Sequence, residues 1–166
     1  MNERMQYVAA LAQRRTPLVL QTEAAECGLA CLAMIAGRYG HRVDLAALRQ
    51  RFSLSIRGTN LRDLVKFAAQ IKLATRALRA EPQHLRRVRL PCILHWDHNH
   101  FVVLTRIGRH HATILDPAVG RRSVSLSEID KRFTGIVLEA WPTDGFETKT
   151  ERARGYLMAK ETPTPS

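Results

Sequence analysis

The sequence predicts an α+β fold in which a helical first half packs against an antiparallel β-sheet. Helix-favouring apolar segments run as far as Ile71, and from Leu73 the apolar residues instead fall in short runs set off by turn residues. Helices first and strands second excludes the alternating units of a parallel α/β sheet. With 166 residues the chain is one domain by default, long enough to bury a core without disulfide staples.

Residues 1–15 read as a short amphipathic arm, with Met5, Val8, Leu11 and Ala12 at helical spacing. Thr16-Pro17 stops it, and Leu18–Leu20 reads as extended. The run EAAECGLACLAMIAGRYG is apolar on most faces, so it predicts a buried central helix from Ala25 or Glu26, ended by Gly37 and Gly40. Asp44 is the expected cap of a helix over Leu45–Phe52. Thr59 is the expected cap of another over Leu61–Ile71, whose Leu61, Leu64, Val65 and Ala68 share a face. Strands are expected at Leu73–Leu78, Pro91–Trp96, Phe101–Ile107, Ala112–Leu115, Arg122–Leu126 and Ile136–Trp141, with short helices at Pro82–Leu85 and Ser127–Phe133. The domain is expected to fill residues 1–147, and the pattern is lost over 148–166, which reads as a linker or disordered tail.

The composition is ordinarily globular, 45% hydrophobic and 25% charged. The longest stretch without a charged residue, Cys27–Gly37, has eleven residues, where a membrane span needs roughly 20. The N-terminus lacks the apolar block and cleavage site of a signal peptide. Three cysteines are too few for a disulfide scaffold and suit a reducing compartment. Lys+Arg total 26 against 15 Asp+Glu, a net charge of +11. Yet the basic residues scatter in pairs such as Arg14-Arg15 and Arg121-Arg122, aromatics are only 6%, and no nucleic-acid motif occurs. The charge therefore reads as a solvated surface that faces an acidic partner or a membrane, not nucleic acid.

Two regions carry residues suited to chemistry. Cys27 falls on the first turn of the central helix, where unpaired N–H groups and the positive dipole end favour a thiolate; a buried structural cysteine is the plainer reading of the same position. Cys31, one turn on, reads as such a packing cysteine. The second region, LPCILHWDHNHFVVLTRIGRHHATILDP, has strands flanking a loop with His95, Asp97, His98, Asn99 and His100. If the strands after His100 and before Asp116 form a hairpin, those two residues become ladder neighbours, and the carboxylate accepts from imidazole Nδ1–H. Asp97 competes for that role, and the hairpin geometry favours Asp116. Five histidines between positions 95 and 111 invite a metal reading, but Cys-x3-Cys within a helix and His-Asn-His on one strand converge poorly on a tetrahedral ion. A nucleophile on a helix, then His, then Asp or Asn on the following sheet is the order of papain-like cysteine peptidases. Gln21, six residues before Cys27, sits where such enzymes place an oxyanion-hole amide.

The segments LQTEAAECGLACLAMIAGRYG, RGTNLRDLVKFA, PCILHWDHNHFVVL and LDPAVGRRSVSLSEIDKRFTGIVLEAWP resemble the bacteriocin-processing cysteine peptidases, the N-terminal peptidase domains of peptidase-containing ABC transporters. The resemblance covers about residues 15–146. It implies a papain-like fold, with Cys27 as nucleophile, His100 as general base and acid, Asp116 as orienting carboxylate and Gln21 as oxyanion-hole amide. It also implies cleavage of leader peptides after a double-glycine motif, without metal or cofactor, coupled to export. The implied partners are a precursor peptide with a Gly-Gly leader and the transmembrane and nucleotide-binding parts of an ABC exporter. ATP would serve only that transporter module. The implied location is the cytoplasmic face of the bacterial inner membrane. Some members of the wider family lack the cysteine and only bind substrate, so a catalytically silent docking domain is the alternative. Departing from a full transporter, this sequence has no membrane bundle and no G-x-x-x-x-G-K-[ST] phosphate loop. It is expected to be an excised domain or a stand-alone peptidase.

Overall fold

The computed structural model describes residues 15–53 and 57–154. The amphipathic helix expected at the N-terminus falls on residues outside that range. The centre of the fold is α1 (Cys27–Arg38), entered through one 3-10 turn at Ala24–Glu26. Every residue from Cys27 to Gly37 is buried, which is why the segment is apolar all round instead of striped. On one side it meets α2 (Leu45–Arg51) and α3 (Leu61–Gln70), on the other the sheet.

Local chemistry sets the helix starts. Asp44 accepts from the Ala47 N–H at 2.6 Å, as its position predicts. The cap of α3 is Asn60 and not Thr59. Its side chain accepts from the Asp63 N–H at 2.9 Å while Asp63 accepts from the Asn60 N–H at 3.3 Å, a reciprocal box that Thr59 has no partner to form. Thr59 packs instead against α1, with its hydroxyl buried and unpartnered.

The main sheet contains β2 (Leu73–Arg79), β3 (Cys92–Trp96), β4 (His100–Ile107), β5 (His111–Asp116), β6 (Gly120–Ser125) and β7 (Phe133–Pro142) in the order β2-β7-β3-β4-β5-β6. All its pairings are antiparallel. Its middle is buried on both faces. Ile93, Phe101, Val103, Leu115, Leu138 and Ala140 join the α1 core, while Leu94, Trp96, Val102, Leu104, Ile114 and Val137 form a second core. Leu85 of the 3-10 turn Pro82–Arg86 and Ile129 of α4 (Leu126–Arg132) cover that second face. Double burial explains why β3 and β4 are nearly continuous apolar runs instead of alternating ones.

The structure corrects the expectation for the C-terminal region. Thr150–Glu151 forms β8, which pairs in parallel with the two-residue β1 (Arg42–Val43). Buried His41 bonds Glu151 at 3.0 Å, and Arg51 reaches the same carboxylate at 3.3 Å. Folded structure therefore continues past residue 147, as far as Arg154 among the described residues. Two-residue strands carry no periodicity, so sequence pattern could not reveal them.

Candidate active site

α1 begins at Cys27, so the thiol sits among the first N–H groups of a twelve-residue helix and is buried. His100 opens β4 and Asp116 closes β5, brought together by the hairpin between them. That ladder pairs Val103 with Leu115 and Leu104 with Ile114, and an irregularity shifts its register between Leu104 and Arg106. Extending the register places Val102 opposite Asp116, so His100 lies on the diagonal and not directly across. The distance from His100 Nε2 to Asp116 Oδ1 is 2.8 Å. The nitrogen engaged is Nε2, where the sequence predicts Nδ1. The imidazole also shares a hydrogen bond with Cys27.

The electrostatics follow from these contacts. The hydrogen bond to Asp116, followed by that to Cys27, raises the His100 pKa to about 9 against the opposing effect of burial. For Asp116, burial favours the neutral acid. The His100 hydrogen bond and the Ala118 N–H, 2.9 Å away, outweigh it and hold the carboxyl below its ordinary value. Cys31 and Cys92 differ sharply: burial drives both thiols well above their ordinary range, and both are free.

Asp97 is committed elsewhere. Arg132 Nε donates to both of its oxygens at 3.0 Å, stabilising a β3–β4 turn in which Asp97 and His98 both have positive φ. This leaves Asp116 as the carboxylate on His100. His95 bonds the Thr134 hydroxyl at 2.7 Å and stays outside the cluster.

Gln21 lies on the other side of the thiol in sequence, in the extended stretch before the 3-10 turn. Its backbone N–H donates to Pro117 O at 2.8 Å, joining it to the residue after Asp116. Its side-chain oxygen is buried and without a hydrogen-bond partner, so the amide oxygen is not used up by structural bonding. Next to it, the Glu26 carboxylate accepts from the Thr22 N–H (3.1 Å), the Thr22 hydroxyl (2.7 Å) and the Glu23 N–H (3.1 Å). Arg49 Nε of α2 donates to its other oxygen. Glu26 is the buried residue next to Cys27 in the chain that sequence pattern does not single out. Its one signal there is an acidic side chain at a helix start, which is common for ordinary dipole reasons.

A cleft of about 450 Å³ lies between the start of α3 and the β3–β4 turn, lined by Gly58, Thr59, His98, Asn99 and Phe101 among others. Gly58 has a φ of +89° and a Cβ there would stand 3.4 Å from Ala25 O, so the wall approaches the entrance to α1 closely.

The sequence profile of the peptidase C39 family matches residues 15–145. The colicin V secretion/processing ATP-binding protein CvaB of Escherichia coli is 49% identical over 147 residues, covering 89% of this chain and 21% of that protein. The transport/processing ATP-binding protein ComA of Streptococcus pneumoniae is 30% identical over 145 residues, 82% of this chain and 20% of that protein. The chain thus spans about a fifth of the length of these two curated relatives. Among solved structures, a double glycine motif protease from an AMS/PCAT transporter, in complex with the leader peptide, superposes with TM-score 0.73 at 39% identity. The match covers 79% of this chain and 96% of that one. The peptidase domain of Streptococcus ComA superposes with TM-score 0.72 at 25% identity, over 78% of this chain and all of that one.

Proposed function

This chain belongs to the peptidase C39 family of cysteine peptidases, and from that premise we propose that it cleaves leader peptides after a double-glycine motif, with Cys27, His100, Asp116 and Gln21 as its catalytic set. The observation that carries the residue assignment is the 2.8 Å His100–Asp116 pair whose imidazole also bonds the thiol at the start of α1. The leader-bound likeness at 39% identity supports the choice of substrate.

His100 is raised to about 9, so it is an imidazolium at neutral pH and poised to donate a proton, and in this mechanism Sγ reacts as the thiolate. Sγ attacks the carbonyl carbon of the second glycine. The negative charge that forms on oxygen is met by the Cys27 backbone N–H and the Gln21 side-chain amide. His100 passes its proton to the leaving amine, and the thioester bond from Sγ to the leader remains. Water then attacks that thioester with His100 taking its proton, and sulfur leaves as thiolate. Asp116 orients the ring through Nε2 and stabilises its charged form. No metal or cofactor takes part in these steps.

The cleft beside Gly58 and Thr59 is the place for the leader segment next to the scissile bond. In this reading the chain works with the transmembrane and nucleotide-binding parts of an ABC exporter, at the cytoplasmic face of the membrane. Among the described residues no helix is long and apolar enough to cross a membrane.

The test is cleavage of a precursor carrying a Gly-Gly leader by wild type and by Cys27→Ala. Wild type is expected to release the mature peptide at the Gly-Gly junction and the variant to release none. Cleavage by the variant, or no cleavage of any such leader by wild type, overturns the reading.

A further inference from the structure

The residue that precedes Cys27 in the chain is a carboxylate only 1% exposed, and the proposed reaction puts negative charge on the sulfur and the oxyanion that follow it. A buried carboxylate there opposes both unless something offsets it. The surroundings of Glu26 do so. Burial favours its neutral form, but Arg49, the Thr22 hydroxyl and the N–H groups of Thr22 and Glu23 together lower its pKa to about 2. The ion is therefore permanent, and the guanidinium of Arg49 balances it at 2.5 Å. Arg49 also donates to the Thr22 hydroxyl at 2.9 Å, closing a ring of contacts from α2 to the segment that follows Gln21.

We propose that Glu26 and Arg49 are positioning residues: the carboxylate clamps the 21–23 segment that carries Gln21, and the guanidinium cancels its charge next to Cys27. The inference rests on the peptidase reading above. The clamp acts from one side of Gln21 while Pro117 O holds its backbone N–H from the other. An amide at position 26 cannot replace the carboxylate, because one face must accept from Thr22 and Glu23 and the other from Arg49. A carboxamide has an acceptor for only one of them.

The two residues differ in sign, which separates this role from a merely structural one. Loss of the Glu26 charge leaves Arg49 unopposed and favours the Cys27 thiolate, whereas loss of Arg49 leaves the carboxylate unopposed and disfavours it. The experiment measures the pH profile of Cys27 alkylation by iodoacetamide, without substrate, and kcat and KM on a Gly-Gly precursor. In Glu26→Gln the alkylation midpoint is expected to move to lower pH, and in Arg49→Met to higher pH, each by about half a pH unit. The midpoint in Arg49→Lys is expected to stay near that of wild type. Both charge-removing variants are expected to lose about tenfold in kcat with KM changed less than about twofold. If Arg49→Met does not fold, Glu26→Gln decides alone, by its lower midpoint and lower kcat. Midpoints that do not move, or that move in the same direction, overturn the proposal, as does a kcat unchanged in Glu26→Gln. Wild type that cleaves no Gly-Gly precursor fails the peptidase reading instead, and the alkylation profiles then still decide the charge balance.

Discussion

At the scale of single residues, the site depends on which charges are allowed to persist. His100 is held protonated to about pH 9 by Asp116 and Cys27. A mechanism that needs the imidazolium therefore loses activity as pH rises through that value. Replacing Asp116 by Asn removes the partner whose hydrogen bond raises His100 most, so His100 deprotonates at lower pH. The alkaline limb of kcat/KM is expected near pH 9 in wild type and at least about one unit lower in Asp116→Asn. A pH–rate series on one precursor peptide measures both. An alkaline limb that stays in place in the variant would show that Asp116 does not control His100. The residue types at 27, 100 and 116 were legible in the sequence because their chemistry is restrictive. The hairpin favours Asp116 over Asp97 in the sequence, and what the sequence does not show is that Arg132, 35 residues further along the chain, occupies Asp97.

At the scale of elements, α1 is both the centre of the core and the helix that carries Cys27, so its packing reaches the site directly. Gly28 follows Cys27 because α3 comes close: a Cβ there would meet Leu64 Cδ2 at 2.9 Å and Thr59 Cβ at 3.3 Å. Gly28→Ala is expected to cost about 1–3 kcal/mol, since Leu64 is fully buried and cannot easily move aside. Its kcat should fall as well, because Thr59 lines the cleft. Urea denaturation and steady-state kinetics test the two effects, and an alanine variant as stable and active as wild type would contradict this packing. The helices and strands were largely legible, since long apolar segments declare their period. The cap at Asn60 was one residue off because it depends on a reciprocal bond with Asp63. The β1–β8 pair was illegible for a different reason: each strand is two residues long, and partners at 42–43 and 150–151 are linked only by the fold.

For the whole molecule, stability should be greatest near pH 6.5. Burial lowers the pKa of His41 despite its bond to Glu151, so its contribution is complete above pH 6.5 and is lost as pH falls through the folded value. Glu26 adds a second acid loss. Its pKa is about 2 against an ordinary 4.5, so its stabilisation is present above 4.5 and disappears towards pH 2. His100 has the opposite sign: raised to about 9, it stabilises fully below 6.5 and progressively less from there to pH 9. Urea midpoints measured across this range should fall on both sides of pH 6.5. His100→Gln should flatten the alkaline side, and Glu26→Gln the decline below pH 4.5. A wild-type midpoint that rises steadily to pH 9 would refute the assignment for His100.

By itself the sequence determined the class of fold, the buried central helix, the cysteine at its start and the histidine and carboxylate of the hairpin. These depend on local periodicity, on helix-end chemistry and on residue types with few alternative uses. Tertiary structure alone decided which histidine nitrogen meets Asp116, which arginine occupies Asp97, that Arg49 balances Glu26, and that the region after residue 147 adds a strand. Those outcomes depend on contacts between residues far apart in the chain, and no local pattern records which partner a charged side chain will meet once the elements are packed.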